Sequence, residues 1–233
     1  MLLIGHRGAA GLAPENSLAA MQAGYNADAD MLELDVRLTK DKKLVAIHDS
    51  RLLRTHHTRE PIASITYEQL CTLTAESPVP LLEHILDRYF GVIMLNIELK
   101  SRGSAEALIV LLRRRYIKKV KDWDKILISS FKGAELLRIR RLEKHANLAM
   151  LHSENPFIFV AYHRFVKLTA VGFHRLYLNR FALEIAKRIG LFIYVYTVDR
   201  PAALPHLEKQ GISGVVTNHP DRLRHYIEAQ SPE

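Results

Sequence analysis

The chain is poor in the features that mark several large classes of protein. It has one cysteine, Cys71, in 233 residues, so an internal disulfide framework is excluded and a reducing compartment fits. Cys71 itself reads as a small buried hydrophobe beneath a helix. No stretch approaches the ~18 consecutive apolar residues of a membrane-spanning helix. The first residues, Met1 to His6, lack the basic start, long apolar middle and small-residue cleavage site of a secretory leader, and read instead as a first strand. These absences give the expectation of a cytoplasmic protein. Neither a G-x-G-x-x-G turn nor a Walker sequence occurs, which removes the commonest dinucleotide and P-loop classes. No linker breaks the chain, so residues 1–233 read as a single domain.

What is present is an ordinary globular composition, 48% hydrophobic and 25% charged, enough to bury a full core. The net charge is +8, which implies an anionic partner without naming it. Apolar runs of strand length alternate with helical patterns about eight times. Strands are expected near Leu2–His6, Met31–Leu38, Leu44–His48, Val92–Leu99, Lys125–Ser130, Asn147–His152, Leu168–Phe173, Phe192–Val198 and Gly214–Thr217. Helical patterns lie between most of them. That order argues for a parallel sheet with helical crossovers. Eight units in this length fit a small (β/α)8 TIM barrel; an open doubly wound sheet is the alternative. Residues 50–79 break the rhythm. They read as a small insertion after the second strand region, at the catalytic face, with one short helix over Thr66–Leu73.

Polar residues interrupt the strand-like runs. In Met31–Leu38 the side chains alternate. Leu32, Leu34, Val36 and Leu38 share one face and Glu33, Asp35 and Arg37 the other. If the leucine face packs on helices, the two carboxylates point into the barrel mouth about 7 Å apart by strand rise. One would be protonated at neutral pH unless a cation lies between them. The same alternation puts Asn96, Glu98 and Lys100 together. Three carboxylates without cysteine or His-x-x-x-His spacing favour one hard divalent cation, Mg2+ or Ca2+, over zinc. His6 and His48 end strand-like runs, where barrel active sites form, and imidazoles serve as acid and base near neutral pH. Arg7 and Lys100 could grip an anion. This set suits phosphoryl chemistry.

Taken together, His6-Arg7-Gly8, Pro14-Glu15-Asn16-Ser17, Glu33-Leu34-Asp35-Val36, Val45 to Asp49 with Leu52 and Arg54-Thr55, and Asn96-Ile97-Glu98-Leu99-Lys100 resemble the glycerophosphodiester phosphodiesterase family. Ser129-Ser130-Phe131, Val195 to Asp199 and Gly211 to Asp221 extend the resemblance over nearly the whole chain. It implies a TIM barrel with an insertion after the second histidine, metal ligation by Glu33, Asp35 and Glu98, and His6 and His48 as the acid/base pair. Arg7 and Lys100 would bind phosphate, with Glu15, Asn16 and Tyr196 in support. The implied reaction is metal-dependent hydrolysis of small glycerophosphodiesters to sn-glycerol 3-phosphate and an alcohol, with no nucleic acid as partner. Three departures touch the alcohol side. Tyr196 replaces the usual Trp, Ser213 and Asn218 stand where Asp is usual, and the insertion is short.

Other signals compete. Basic clusters at Arg113–Arg115 and Arg138–Arg141 read as solvated helix faces, or as attraction to a membrane surface or nucleic acid. Aromatics from Phe157 to Phe181 read as core, or as an apolar rim for an acyl chain. Two alternative functions follow: a lysophospholipase D at a membrane surface, and a non-catalytic barrel binding anions or nucleic acid. Trp123 is expected between a helix and the next strand, and His56-His57 in an exposed loop. The oligomeric state is not legible.

Overall fold

The strict alternation of Met31–Leu38 produces the longest strand of the fold. In the structure, a computed structural model describing residues 1–152 and 154–230, nine strands follow one another in the chain. They are β1 (Leu2–Gly5), β2 (Met31–Leu38), β3 (Leu44–Ala46), β4 (Met94–Leu99), β5 (Ile126–Ser130), β6 (Asn147–His152), β7 (Ala170–His174), β8 (Phe192–Tyr196) and β9 (Gly214–Thr217). The helices are α1 (Leu18–Asn26), α2 (Leu53–His56), α3 (Tyr67–Leu73), α4 (Leu82–Tyr89), α5 (Ser104–Arg115), α6 (Gly133–Leu142), α7 (Ile158–Val166), α8 (Arg180–Arg188), α9 (Leu204–Lys209) and α10 (Pro220–Gln230). Eight strands run parallel in the order β1-β9-β8-β7-β6-β5-β4-β2, and β1 pairs with β2 to close the ring. This is the expected (β/α)8 barrel. Parallel neighbours need a crossover, and the amphipathic segments between strands supply it.

Alternation sorts the side chains into two cores. Leu32, Leu34, Val36 and Leu38 join the outer core with helix residues such as Leu82, Leu108 and Leu136. Inward residues, including Ile4, Met31, Leu127, Leu151 and Tyr194, fill the barrel. Local signals set the helix starts: the Ser17 hydroxyl accepts from Ala20 N–H, and Asn179 accepts from Phe181 and Ala182, satisfying N–H groups that a helix end leaves free. Trp123 is buried in the outer core, as expected. Helix α4 has no counterpart in the sequence reading, although Leu82, Ile85, Leu86 and Tyr89 show helical i, i+3, i+4, i+7 spacing and are all buried. Each such apolar side chain contributes roughly 1.5–3 kcal/mol.

Three expectations change. The run Leu44–His48 is not a barrel strand: β3 pairs antiparallel with β2, with Val36 opposite Ala46. Residues 50–79 hold two short helices, α2 and α3, and a 3-10 turn, Ile62–Ser64, rather than one helix. Their side chains Leu52, Ile62, Ile65 and Leu70 form a separate small core with Val45, Ile47 and Val79. Cys71 is a free, exposed thiol on α3 and not a buried one; Leu70 takes the inward position of that helix.

Candidate active site

The carboxylates of Glu33, Asp35 and Glu98 converge inside the barrel, with one oxygen from each lying within 4.8 Å of the others. Their strands explain it. Parallel β2 and β4 pair with Asp35 opposite Glu98, so inward residues of both strands share one layer. All three are buried. Lys100, just beyond β4, places Nζ 3.1 Å from Asp35 Oδ1 and 2.5 Å from Glu98 Oε1. Arg7 Nε lies 3.2 Å from Asp35 Oδ2.

The loop after β1 delivers Arg7. Its φ is 52° and that of Gly8 is 87°. A Cβ on residue 8 would stand 2.4 Å from the Ala20 carbonyl carbon, so glycine lets this loop press against α1. The turn aims Arg7 N–H at Glu33 Oε2, at 2.8 Å. Asn16, also at positive φ, donates from Nδ2 to Asp35 Oδ2 and accepts Asp35 N–H, at 3.0 and 2.9 Å. Glu15 accepts from Arg7 Nη1 at 2.8 Å.

These carboxylates are not equivalent. Burial pushes Glu33 well up, and its neighbours Asp35 and Glu98 push it further. Burial also raises Glu98, to about 7, against the pull of Lys100. Burial works the same way on Asp35, but Lys100 and Arg7 outweigh it and hold Asp35 low. Two cations therefore do not neutralise three buried acids, and the excess negative charge needs a proton or another cation. Glu98 Oε1 is buried and makes no hydrogen bond of normal geometry, close as Lys100 is. An all-oxygen donor set of this charge fits Mg2+ or Ca2+.

His6 and His48 flank the cluster, each with its Nδ1 engaged. His6 follows β1, and its Nδ1 is 2.6 Å from Asn218 Oδ1. Asn218 Nδ2 donates to Asp199 Oδ2 at 2.9 Å. A carboxylate only accepts, so the amide nitrogen must face Asp199 and the amide oxygen must face His6. His6 Nδ1 then carries the proton and Nε2 is the free lone pair. Burial first, then Arg7, lowers the His6 pKa. His48 Nδ1 is 2.6 Å from Asp49 Oδ1, which likewise leaves Nε2 free. Burial lowers its pKa although Asp35 and Asp49 pull it up.

His48 does not reach the mouth by ending a parallel strand, as the spacing implies. Antiparallel β3 folds back along β2, Ile47 N–H donates to Asp35 O at 2.9 Å, and Arg37 Nε donates to the His48 carbonyl at 2.7 Å. Arg54 on α2 then locks the loop. Its Nε donates to Asp49 Oδ2 at 2.6 Å, and Nη1 and Nη2 donate to Glu15 Oε2 and Oε1 at 2.9 and 2.5 Å. A continuous chain thus runs His48–Asp49–Arg54–Glu15–Arg7. Tyr196, at the end of β8, donates its hydroxyl to the His152 carbonyl at 2.5 Å. Its ring meets Phe131 and His174.

The residues singled out from sequence for the site are therefore brought together: Glu33, Asp35 and Glu98 inside the barrel, and the others on the segments that follow the strands around them. Three residues of the site were given no role from sequence, Asp49, Arg54 and Asp199; a fourth, Asn218, was expected to touch the alcohol side and instead bonds to His6. The His48-Asp49 dipeptide was a usable signal. The Asp199–Asn218 pair was not, because the two contribute to one site only after the barrel closes.

A family model for the glycerophosphoryl diester phosphodiesterase family matches residues 6–222. A glycerophosphodiester phosphodiesterase of Caldanaerobacter subterraneus subsp. tengcongensis is 30% identical over 243 residues, covering 95% of this chain and 96% of that one. Among solved structures, a phosphodiesterase of Oleispira antarctica in complex with the product sn-glycerol-3-phosphate superposes with a TM-score of 0.85 at 22% identity, covering 98% of this chain and 97% of that chain. A glycerophosphodiester phosphodiesterase of Thermotoga maritima gives 0.83 at 24%, covering 99% and 98%.

Proposed function

On the premise that this chain belongs to the glycerophosphoryl diester phosphodiesterase family, we propose that it hydrolyses glycerophosphodiesters to sn-glycerol 3-phosphate and an alcohol. Glu33, Asp35 and Glu98 would hold one divalent cation, Mg2+ or Ca2+, and His6 and His48 would move protons. The observation that carries this reading is three buried carboxylates with oxygens within 4.8 Å, flanked by two imidazoles whose Nδ1 atoms are both engaged. The product bound by the Oleispira protein is consistent with it.

When bound, the cation would draw charge from the phosphate oxygens and stabilise the negative charge that develops in the transition state. The chain's own residues supply the rest. Lys100 and Arg7, both anchored on Asp35, present fixed positive charge to the phosphate. Arg7 uses Nε and Nη1 on Asp35 and Glu15, which holds the guanidinium plane and would leave Nη2 for substrate. Asn16 holds the Asp35 carboxylate in place from both sides.

The two imidazoles divide the proton work by their partners. Asp49 stabilises a protonated His48. His6 has a neutral amide behind it and Arg7 beside it. His48 therefore begins as the acid that protonates the departing alcohol oxygen, and His6 Nε2 begins as the base on the attacking oxygen. Tyr196 and Phe131 offer ring faces to the alcohol side of the substrate. The chain acts in the cytoplasm in this reading, where a free exposed thiol such as Cys71 stays reduced. This reading assigns no role to nucleic acid, and Arg113, Arg115 and Arg138 of the basic clusters already pair with Glu143, Glu83 and Glu135.

The test is a panel of glycerophosphodiesters assayed for release of sn-glycerol 3-phosphate, in chelator and with Mg2+ or Ca2+ restored. Turnover that depends on the added ion is expected. Undiminished turnover in chelator would refute the metal role, and no release from any member would refute the activity.

A further inference from the structure

The segments that follow β5, β6 and β7, with the first turn of α8, build an apolar rim on the same end of the barrel as the carboxylate cluster. Burial absorbs only some of the large apolar residues of this region. Phe159 and Phe173 are fully buried, whereas Leu176 is 73% exposed and Phe181 68% exposed. Phe131, Phe157 and Tyr177 are exposed as well. Phe157, just before α7, and Phe181, in the first turn of α8, lie with ring centroids 6.1 Å apart. The rim is continuous with the site: His174 contacts both Tyr177 and Tyr196, Tyr196 contacts Phe131, and Lys100 Nζ stands 5.4 Å over the Phe131 ring.

Beside the rim runs a cleft of about 420 Å³ lined by Arg175, Arg180 and Arg200. Among the described residues, the side chains of Arg175 and Arg200 make no ion pair or hydrogen bond. Arg180 only senses Glu184, which is itself bonded to Lys187 at 2.7 Å. On the basic faces of α5 and α6 the charge is partly neutralised. Arg113, Arg115 and Arg138 are each paired with carboxylates. Free positive charge and exposed apolar side chains therefore coincide at the mouth.

That combination matches an anionic bilayer surface, where apolar side chains enter the headgroup boundary and guanidinium groups meet lipid phosphates. We propose that the rim carried by Phe157, Leu176 and Phe181 docks on an anionic lipid surface, with Arg175, Arg180 and Arg200 on the lipid phosphates. Docking turns the barrel mouth toward the membrane. The inference rests on the proposed activity only in naming that mouth the active site; its test reads binding and not turnover.

The test is co-sedimentation of the full chain with phosphatidylglycerol-containing vesicles and with phosphatidylcholine vesicles. Binding to the former alone is expected. The Leu176→Asn/Phe181→Asn pair should abolish it. Changing Arg175, Arg180 and Arg200 together to Gln should weaken it on the order of 100-fold. Arg114→Gln/Lys121→Gln, on a distant basic face, should leave it unchanged. Leu176→Trp reports insertion directly, because the native Trp123 is buried and gives a constant background: its emission should move to shorter wavelength on anionic vesicles. Absent binding, loss confined to the Arg114/Lys121 variant, or no emission shift would overturn the proposal. Release of sn-glycerol 3-phosphate from glycerophosphocholine, measured on the same rim variants with their melting temperatures as a folding control, should persist. Vesicle binding without any turnover in the wild type would refute the phosphodiesterase reading and leave the docking surface standing.

Discussion

His6 Nδ1 lies 2.6 Å from Asn218 Oδ1, across 212 residues of chain. The corresponding nitrogen of His48 faces a carboxylate, Asp49 Oδ1, at the same distance. One imidazole is thus backed by a neutral amide and the other by an anion, and that difference is the ground for proposing that the starting proton sits on His48.

Asp49→Asn should lower kcat and move the alkaline limb of the pH–rate profile to lower pH. Asp49 raises the His48 pKa, so removing its charge lets an acid deprotonate earlier. A shift of the acidic limb instead would mean that His48 is the base.

His48→Ala should lower kcat by ~10²-fold or more, the usual contribution of a general acid or base. Steady-state turnover of a minimal glycerophosphodiester checks it. A near-wild-type rate would contradict the assignment.

The carboxylate cluster makes stability depend on pH in a stated direction. Glu98 rises from 4.5 to about 7 in the folded protein, so the native state binds more protons than the unfolded one over that window. Without divalent ions, the melting temperature should fall as pH rises through it. Added Mg2+ or Ca2+ should restore more stability above the window than below it. Glu33→Gln or Glu98→Gln should weaken this ion-induced shift. Calorimetry across pH checks both statements. A melting temperature indifferent to divalent ions throughout would count against a metal centre.

Arg54→Gln should raise KM and lower kcat together, because Arg54 joins Glu15 to Asp49. Its side chain is half exposed, so the stability cost should stay within about 1 kcal/mol. Arg54→Lys should recover little, since a single ammonium cannot replace three directed N–H groups. Full activity in Arg54→Gln would show that the contact from α2 is ornamental.

Asn218→Asp should be more damaging than its size suggests. The new carboxylate would face Asp199, to which Asn218 now donates, and one of the two would have to take up a proton. A lowered kcat with an altered pH profile is expected. An unchanged profile would mean that Asn218 does not set the His6 tautomer.

Much of this was legible from local order. Alternation in Met31–Leu38 separates leucines from carboxylates whatever the rest of the chain does, since a strand turns successive side chains to opposite faces. The strand–helix rhythm fixed the fold class for the same local reason. Alternation likewise put Glu98 and Lys100 on one face of β4, but that β4 lies directly beside β2, with Asp35 opposite Glu98, was not legible, because another strand was expected between them.

What tertiary structure decided is how groups far apart in sequence share atoms. The antiparallel return of β3 looks like another parallel strand in the sequence, since a three-residue run carries no sign of its direction; only pairing with β2 sets it. The Asp199–Asn218–His6 relay joins β8, β9 and β1, the strands where the barrel closes, and closure is a property of the whole ring. The exposure of Leu176 and Phe181 was equally hidden. Aromatic spacing does not tell a core face from a rim until the neighbouring loops are in place.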